Sequence, residues 1–194
     1  MACRVAGEGE ALYEIKRSKF HSFAVPVAAF DEKLAWLRKT HPKARHFVWA
    51  YRRIENDVPF EKQSDDGEPA GTGGRPTLNV LQKQNIVEGA IITVRYFGGI
   101  KLGASGLVKA YTKAAVLALG SADVETIEEY ERFLCSVSFG EHARVVHILK
   151  KMGFGYKEIF LDDGVKLEID VPVSGKETFL SRFGSNILRF EGGS

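Results

Sequence analysis

The chain has 194 residues, 44% of them hydrophobic and 27% charged, with a formal net charge of +2. These values are those of a globular chain and exclude a disordered or collagen-like polymer. They also make net charge alone no argument for nucleic acid, so the distribution of charge carries the weight. The length allows one domain or two small ones.

In chain order, the first nine residues read as a loose end. Residues 11–15 and 20–27 look like two short strands, a bent hairpin around Lys16–Lys19. Asp31 is placed to cap a helix from Glu32 to about Thr40, which Pro42 stops. His46 to Tyr51 alternates as a strand, with Phe47, Trp49 and Tyr51 on one side and His46, Val48 and Ala50 on the other. Residues 52–63 are polar and read as a loop. Pro76 to Gln84 reads as a short helix with proline in its first turn. Ala90 to Phe97 is a nearly continuous apolar strand, ended by Gly98 and Gly99. Ser105 or Ala104 then starts a helix to about Leu119, whose apolar stripe is Leu107, Ala110, Tyr111, Ala114, Leu117 and Ala118.

Residues 120–130 are a polar, acidic connector and the expected domain boundary. Before it and through residue 130 there are 18 basic and 16 acidic residues; after it there are nine of each. An electropositive function therefore belongs to the first part. In the second part, strands are expected at 132–139, 155–161, 165–171 and 186–190. Helices are expected at 141–152 and from a Ser174 cap to about Phe183, with Glu177 completing a capping box. Asp162-Asp163-Gly164 is a tight turn. The order βαββαβ is ferredoxin-like.

The two cysteines, Cys3 and Cys135, make neither a disulfide framework nor a CxxC metal site, and read as one loose and one buried thiol in a reducing compartment. The N-terminus lacks the apolar core of a signal peptide, and no run approaches the ~20 apolar residues of a membrane span. The expected location is cytoplasmic, with no membrane contact.

The stretch from Ser64 to Lys113 is the richest in chemistry. It opens with SDDGEPAGTGGRP, passes through AIITVRYFGG and closes with KLGASGLVKAYTKAA. Its glycines permit tight turns and close backbone approach. Asp65, Asp66 and Glu68 could hold a hard cation such as Mg²⁺, or cap turns and pair with Arg75 or Lys101. From Pro69 to Ala122 one acid, Glu88, faces Arg75, Lys83, Arg95, Lys101, Lys109 and Lys113, a local balance of +5. Backbone N–H groups at the start of the following helix, beside Lys101, form a candidate anion site. Arg95 could converge on it from the strand and Arg75 from the loop. A solvated helix face explains Lys109 and Lys113 equally well.

Several motifs fail. Pro76 stands where the third glycine of GxGxxG belongs, and no strand precedes that run. Ser174-Gly175-Lys176 lacks the first glycine and the final Ser/Thr of a P-loop. Leu107 replaces the last glycine of GxSxG. The histidines form no HExxH, and no nucleophile–base pair or metal triad can be assembled. His46, between basic and aromatic residues at a strand start, is the histidine to follow.

The string SDDGEPAGTGGRP, followed at the right spacing by VRYFGGIKLGASGLVKAY and preceded by HPKARHFVWA, resembles the signature of the Impact/YigZ family. The match is strong over 64–113 and looser over 10–125, and residues 131–194 resemble the small C-terminal domain of the bacterial branch. Ala104-Ser105-Gly106 departs mildly, where many members carry a further glycine. The motif residues are Ser64, Asp65, Asp66, Gly67, Glu68, Pro69, Gly71, Arg95, Tyr96, Gly98, Gly99, Gly103 and Gly106.

The resemblance implies an N-terminal two-layer α/β sandwich similar to domain IV of elongation factor G, and a C-terminal domain similar to its domain V. Eukaryotic relatives restrain an amino-acid-starvation kinase by competing for its activator protein. They carry an additional N-terminal domain. For the bacterial branch the implied role is nucleic-acid or ribosome association, or translational control. No catalytic residues carry over.

The expectation is thus an α+β protein of two domains, 1–125 and 131–194. Its first functional reading is a non-enzymatic translation regulator that contacts RNA or ribosome phosphates through Arg75, Arg95, Lys101, Lys109 and Lys113. The alternatives are a protein-interaction module contacting a translation-regulatory protein, and a metal-assisted hydrolase or phosphoryl-transfer enzyme using Asp65, Asp66 or Glu68. The first two readings need no cofactor.

Overall fold

A computed structural model describes residues 1–183 with the exception of residue 57. The chain divides into two compact units, Met1–Ile127 and Glu128–Ser194.

The N-terminal unit is built on one mixed seven-stranded sheet. Its centre is β6 (Ile86–Tyr96), flanked by β3 (Ser18–Val25) and β4 (His46–Glu55), both antiparallel to it. β6 is buried almost throughout because both faces of the sheet are covered. On one face Phe23, Val25, Phe47, Tyr51, Ile92 and Val94 pack with Phe30 and Leu37 of α1 (Phe30–Thr40). On the other, Ala24, Ala50 and Ile91 meet α2 (Gly74–Lys83) and α3 (Gly103–Gly120) through Leu78, Leu81, Ala115 and Ala118. The same face continues through Phe20 and Val48 against Leu107, Tyr111 and Ala114. Period-two alternation assigns each strand residue to one of these faces.

The first hairpin joins β2 (Gly9–Ile15) to β3 through Lys16 and Arg17, both at positive φ. Two such residues give a turn whose twist matches the paired strands. The far end of β6 then closes on this turn. Gly98 donates to Ser18 Oγ at 3.1 Å, and a Cβ on Gly98 would fall inside the backbone of Arg17 and Ser18. Gly98→Ala is therefore expected to cost about 1–3 kcal/mol through overpacking, read as a lower denaturant midpoint. An unchanged midpoint would show that the turn simply moves aside.

Four expectations are corrected here. The first residues are not loose: β1 (Cys3–Gly7) pairs with the start of β6 and with β7 (Asp123–Thr126), which itself lies in the expected connector. Arg4 and Glu125 face each other across that pair at 2.8 Å, and Val5 enters the core. Residues 52–63 are not a loop. β4 runs to Glu55 and β5 (Val58–Ser64) returns beside it. Arg52 opposes Glu61 at 2.7 Å and also donates to the Ile86 carbonyl, so the charges that suggested a loop are satisfied within the ladder. Asp31 does not cap α1; Ala29 holds that position, and Asp31 and Glu32 lie in the first turn, where the helix dipole favours acids. In α3, Leu117 lies outside the buried stripe, which takes in Ala115 and Leu119 instead.

The C-terminal unit holds β8 (Tyr130–Val137), α4 (Phe139–Met152), β9 (Gly155–Phe160), β10 (Val165–Pro172) and α5 (Lys176–Phe183). Its sheet has the order β8-β10-β9, all antiparallel, as a ferredoxin-like βαββα arrangement requires. Val165, Leu167, Ile169 and Val171 alternate inward against Val145 and Leu149 of α4 and Phe179 and Phe183 of α5. The expected turn at 162–164 is closed by Leu161 N–H donating to the Gly164 carbonyl at 2.9 Å. Ser174 does not form the expected capping box. It sits in a 3₁₀ turn (Val173–Gly175) and donates to Glu128 at 3.3 Å. The strand expected at 186–190 lies outside the described residues. Neither cysteine is in a disulfide; Cys135 is buried, and burial and the nearby Glu141 charge push its thiol up to about 11. At neutral pH that thiol stays protonated and a poor nucleophile.

Candidate functional site

The glycine-rich segment after β5 is folded by its own acids. Asp65 accepts three backbone N–H bonds, from Gly71 on Oδ2 and from Gly73 and Gly74 on Oδ1, each at 2.8 Å. Gly73 and Gly74 open α2, so Asp65 acts as a cap for that helix from nine residues upstream. The close approach needs glycine: a Cβ on Gly74 would lie 2.9 Å from the Ser64 carbonyl carbon. Burial would raise the Asp65 pKa, but the N–H bonds from Gly71, Gly74 and Gly73 outweigh it and hold the carboxyl below its ordinary value.

Asp66 serves other elements. It accepts from the Phe47 backbone N–H at 2.7 Å and from Arg38 at 2.9 Å, while its carbonyl bonds His46 Nδ1 at 2.9 Å. Ser64 Oγ accepts from Asp66 N–H at 3.1 Å, and Gly67 packs against the His46 ring. Pro69 O accepts from the Thr72 hydroxyl at 2.7 Å.

Glu68 is buried. It accepts from Arg95 Nη1 at 2.5 Å and from the Tyr111 hydroxyl at 2.7 Å. Burial, then the Glu68 charge, raises the Tyr111 pKa, so the phenol remains a donor. The three acids thus turn to three separate sets of partners. Among the described residues no group of His, Cys, Asp and Glu could hold a metal ion.

Arg95 lies on the α2/α3 face of β6, in register with Phe20 on one side and His46 on the other. Its guanidinium sits 5.4 Å from the Phe20 ring centre and 5.7 Å from that of Phe97. Above it opens a cleft of about 640 Å³. Lys43 and Arg45 reach it from the turn before β4, Lys101 and Leu102 from the loop before α3, and Gly103 and Ala104 from the helix start. Among the described residues, four Lys and Arg side chains against one carboxylate, Glu68, give the lining a formal charge of +3. α3 begins without a side-chain cap, so its first N–H groups add positive potential there.

The structure therefore brings two of the five expected cations, Arg95 and Lys101, to one cleft. Arg75, Lys109 and Lys113 are exposed and do not line it. Arg95 is also buried, and its ion-pair partner is Glu68. Lys43 and Arg45 were missed. They lie in the turn before β4, outside the alternation of 46–51, and reach the cleft through the pairing of His46 with Arg95. Tyr96 lines the cleft and its hydroxyl bonds His41 Nδ1 at 2.8 Å. Burial and the neighbouring His21 lower the His41 pKa, keeping that ring neutral. Gly98 and Gly99 carry the chain away from β6, and Gly106 lies in the first turn of α3 against Leu102.

These features define a two-unit α+β protein with a cationic cleft floored by a buried Arg–Glu pair. The Impact N-terminal domain model matches residues 16–119. An IMPACT family member in the pol 5′ region of Thermus thermophilus is 36% identical over 84% of this chain and 88% of its own length. The Bacillus subtilis family member YvyE is 35% identical, covering 89% of this chain and 79% of its own. A crystal structure of a hypothetical protein superposes with a TM-score of 0.60 at 27% identity, over 98% of this chain and 97% of the other. The chain belongs to the IMPACT family. Among the described residues no helix is long and apolar enough to cross a membrane.

Proposed function

We propose that the chain is a non-enzymatic, cytoplasmic regulator of translation that engages RNA or the ribosome through phosphates in the cleft. The observation that carries this reading is the convergence of Lys43, Arg45 and Lys101 above Arg95, next to an uncapped helix start. Phosphate recognition uses this combination of charged side chains and open backbone donors. Family membership supports the translational setting, since the family resemblance implies translation regulators among its eukaryotic members. Arg75, Lys109 and Lys113 extend the same sign of charge outside the cleft and act as secondary contacts.

Co-sedimentation of the purified chain with ribosomes and with RNA across a salt series tests this. About three phosphate contacts to a single strand predict affinity falling roughly 20-fold between about 50 and 200 mM salt. Arg45→Glu with Lys101→Glu should abolish binding, whereas Lys109→Glu with Lys113→Glu should weaken it several-fold. No binding at low salt would sink the reading.

One feature favours the alternative of a protein-interaction module. β5 pairs only with β4 among the described residues, and its Val58 and Phe60 are 62% and 39% exposed. Such an edge can accept an extended peptide. Nuclease-insensitive recovery of one stoichiometric protein, lost on Val58→Lys, would favour that role.

A further inference from the structure

Arg95 is 94% buried, yet its Nε has no hydrogen-bond partner among the described residues. Buried polar atoms of native proteins are nearly all paired, and an orphan calls for an explanation. Here the guanidinium spends Nη1 on Glu68 and lines a cleft with Nε unused. Its two aromatic neighbours differ. Phe20 is fully buried and fixes the guanidinium from within the core. Phe97 is 56% exposed and lines the cleft, so one ring is available to something entering it.

The size and charge of the cleft narrow what enters. About 640 Å³ lies within the range of small-molecule sites and suits one nucleotide rather than a duplex. A bridging phosphodiester carries one negative charge, a terminal phosphate monoester close to two at neutral pH. The lining charge of +3 is better matched by the terminal group.

Resting on the phosphate-binding reading of this same cleft, we propose that it receives a single nucleotide bearing a terminal phosphate. The phosphate lies against Lys101, the first N–H groups of α3 and the edge of Arg95. The base stacks on Phe97. Aromatic stacking tolerates any base, so this site reads a phosphorylated end rather than a sequence. The same chemistry is presented by a free nucleoside 5′-monophosphate and by the 5′-phosphorylated end of an RNA strand.

The test uses the full chain and four probes: AMP, adenosine, and one short oligoribonucleotide with either a 5′-phosphate or a 5′-hydroxyl, followed by calorimetry and competition. The phosphorylated oligonucleotide should bind about tenfold tighter than its hydroxyl form, and AMP should compete where adenosine does not. Phe97→Ala and Lys101→Ala alter exposed side chains and leave the Arg95–Glu68 pair in place; each should lower affinity for the phosphorylated probes about tenfold. AMP binding with no gain from phosphorylating the oligonucleotide supports the site and names the free nucleotide as its source. A phosphorylation gain without AMP competition supports it and names the RNA end. Equal binding of both oligonucleotides without AMP competition overturns the nucleotide site and leaves RNA binding standing. AMP binding with no oligonucleotide binding at low salt does the reverse. Phosphorylated-probe affinity unchanged in both variants overturns the proposal.

Discussion

Glu68→Ala is expected to destabilise the N-terminal unit by about 3–5 kcal/mol, the cost of leaving a buried charge without its partner. The side chain of Arg95 is 7% exposed and that of Glu68 3%, so neither can recover its loss from water. Removal of the carboxylate also strands the Tyr111 hydroxyl, which donates to the same oxygen. The effect should appear as a lower denaturant midpoint at an unchanged slope. Glu68→Gln keeps the volume and an acceptor for Tyr111 but not the charge, and should fall between the two. Glu68→Leu combined with Arg95→Met replaces the pair by apolar groups of similar size and should recover most of the loss. A cost below about 1 kcal/mol for Glu68→Ala would mean that the guanidinium swings out to solvent. The same pair sets the potential of the cleft. Glu68→Gln removes the only carboxylate of its lining among the described residues, so surviving folded protein should hold anions more tightly than the parent does.

That a stabilising pair and a binding site share one arginine explains why the sequence was only partly legible. Alternation over 46–51 assigned Phe47, Trp49 and Tyr51 to one face and His46, Val48 and Ala50 to the other, and the sheet divides them in that way. Among the described residues, the C-terminal strands and helices were equally readable, because Val165, Leu167, Ile169 and Val171 mark their face without interruption. β5 escaped because its polar run has no apolar period. Its support is cross-strand charge, Arg52 to Glu61, which looks like a loop when read along one dimension. β1 and β7 are five and four residues long and acquire order only by pairing with each other and with β6. At the site, the convergence of Arg95 and Lys101 was foreseeable because a strand and a helix start adjoin in sequence. Lys43 and Arg45 join them through the register of His46 with Arg95, 49 positions apart, which no local pattern announces.

Asp65→Ala is expected to cost about 3 kcal/mol, because it removes a charged acceptor from three N–H groups, two of them on buried glycines. Gly73, at the N-cap of α2, has no side chain to take its place. The pH dependence has a definite sign. The folded-state pKa of Asp65 lies below its ordinary 3.8, so the carboxylate's contribution is fully present above that value and is lost as pH falls through the folded one. Asp65→Asn keeps one oxygen for Gly73 and Gly74 but presents Gly71 with a donor and carries no charge. The gap between parent and Asp65→Asn should therefore be constant from about pH 7 to 5 and narrow below about pH 4. Urea midpoints of both proteins across that range measure it. A gap that stays constant into acid would assign the loop to shape alone; a narrowing gap assigns it to charge. In the second case the first acid of the SDDGEPAGTGGRP motif is what seats α2 on the same sheet face as Arg95. The cleft should then lose anion affinity in Asp65→Asn even though Asp65 does not line it.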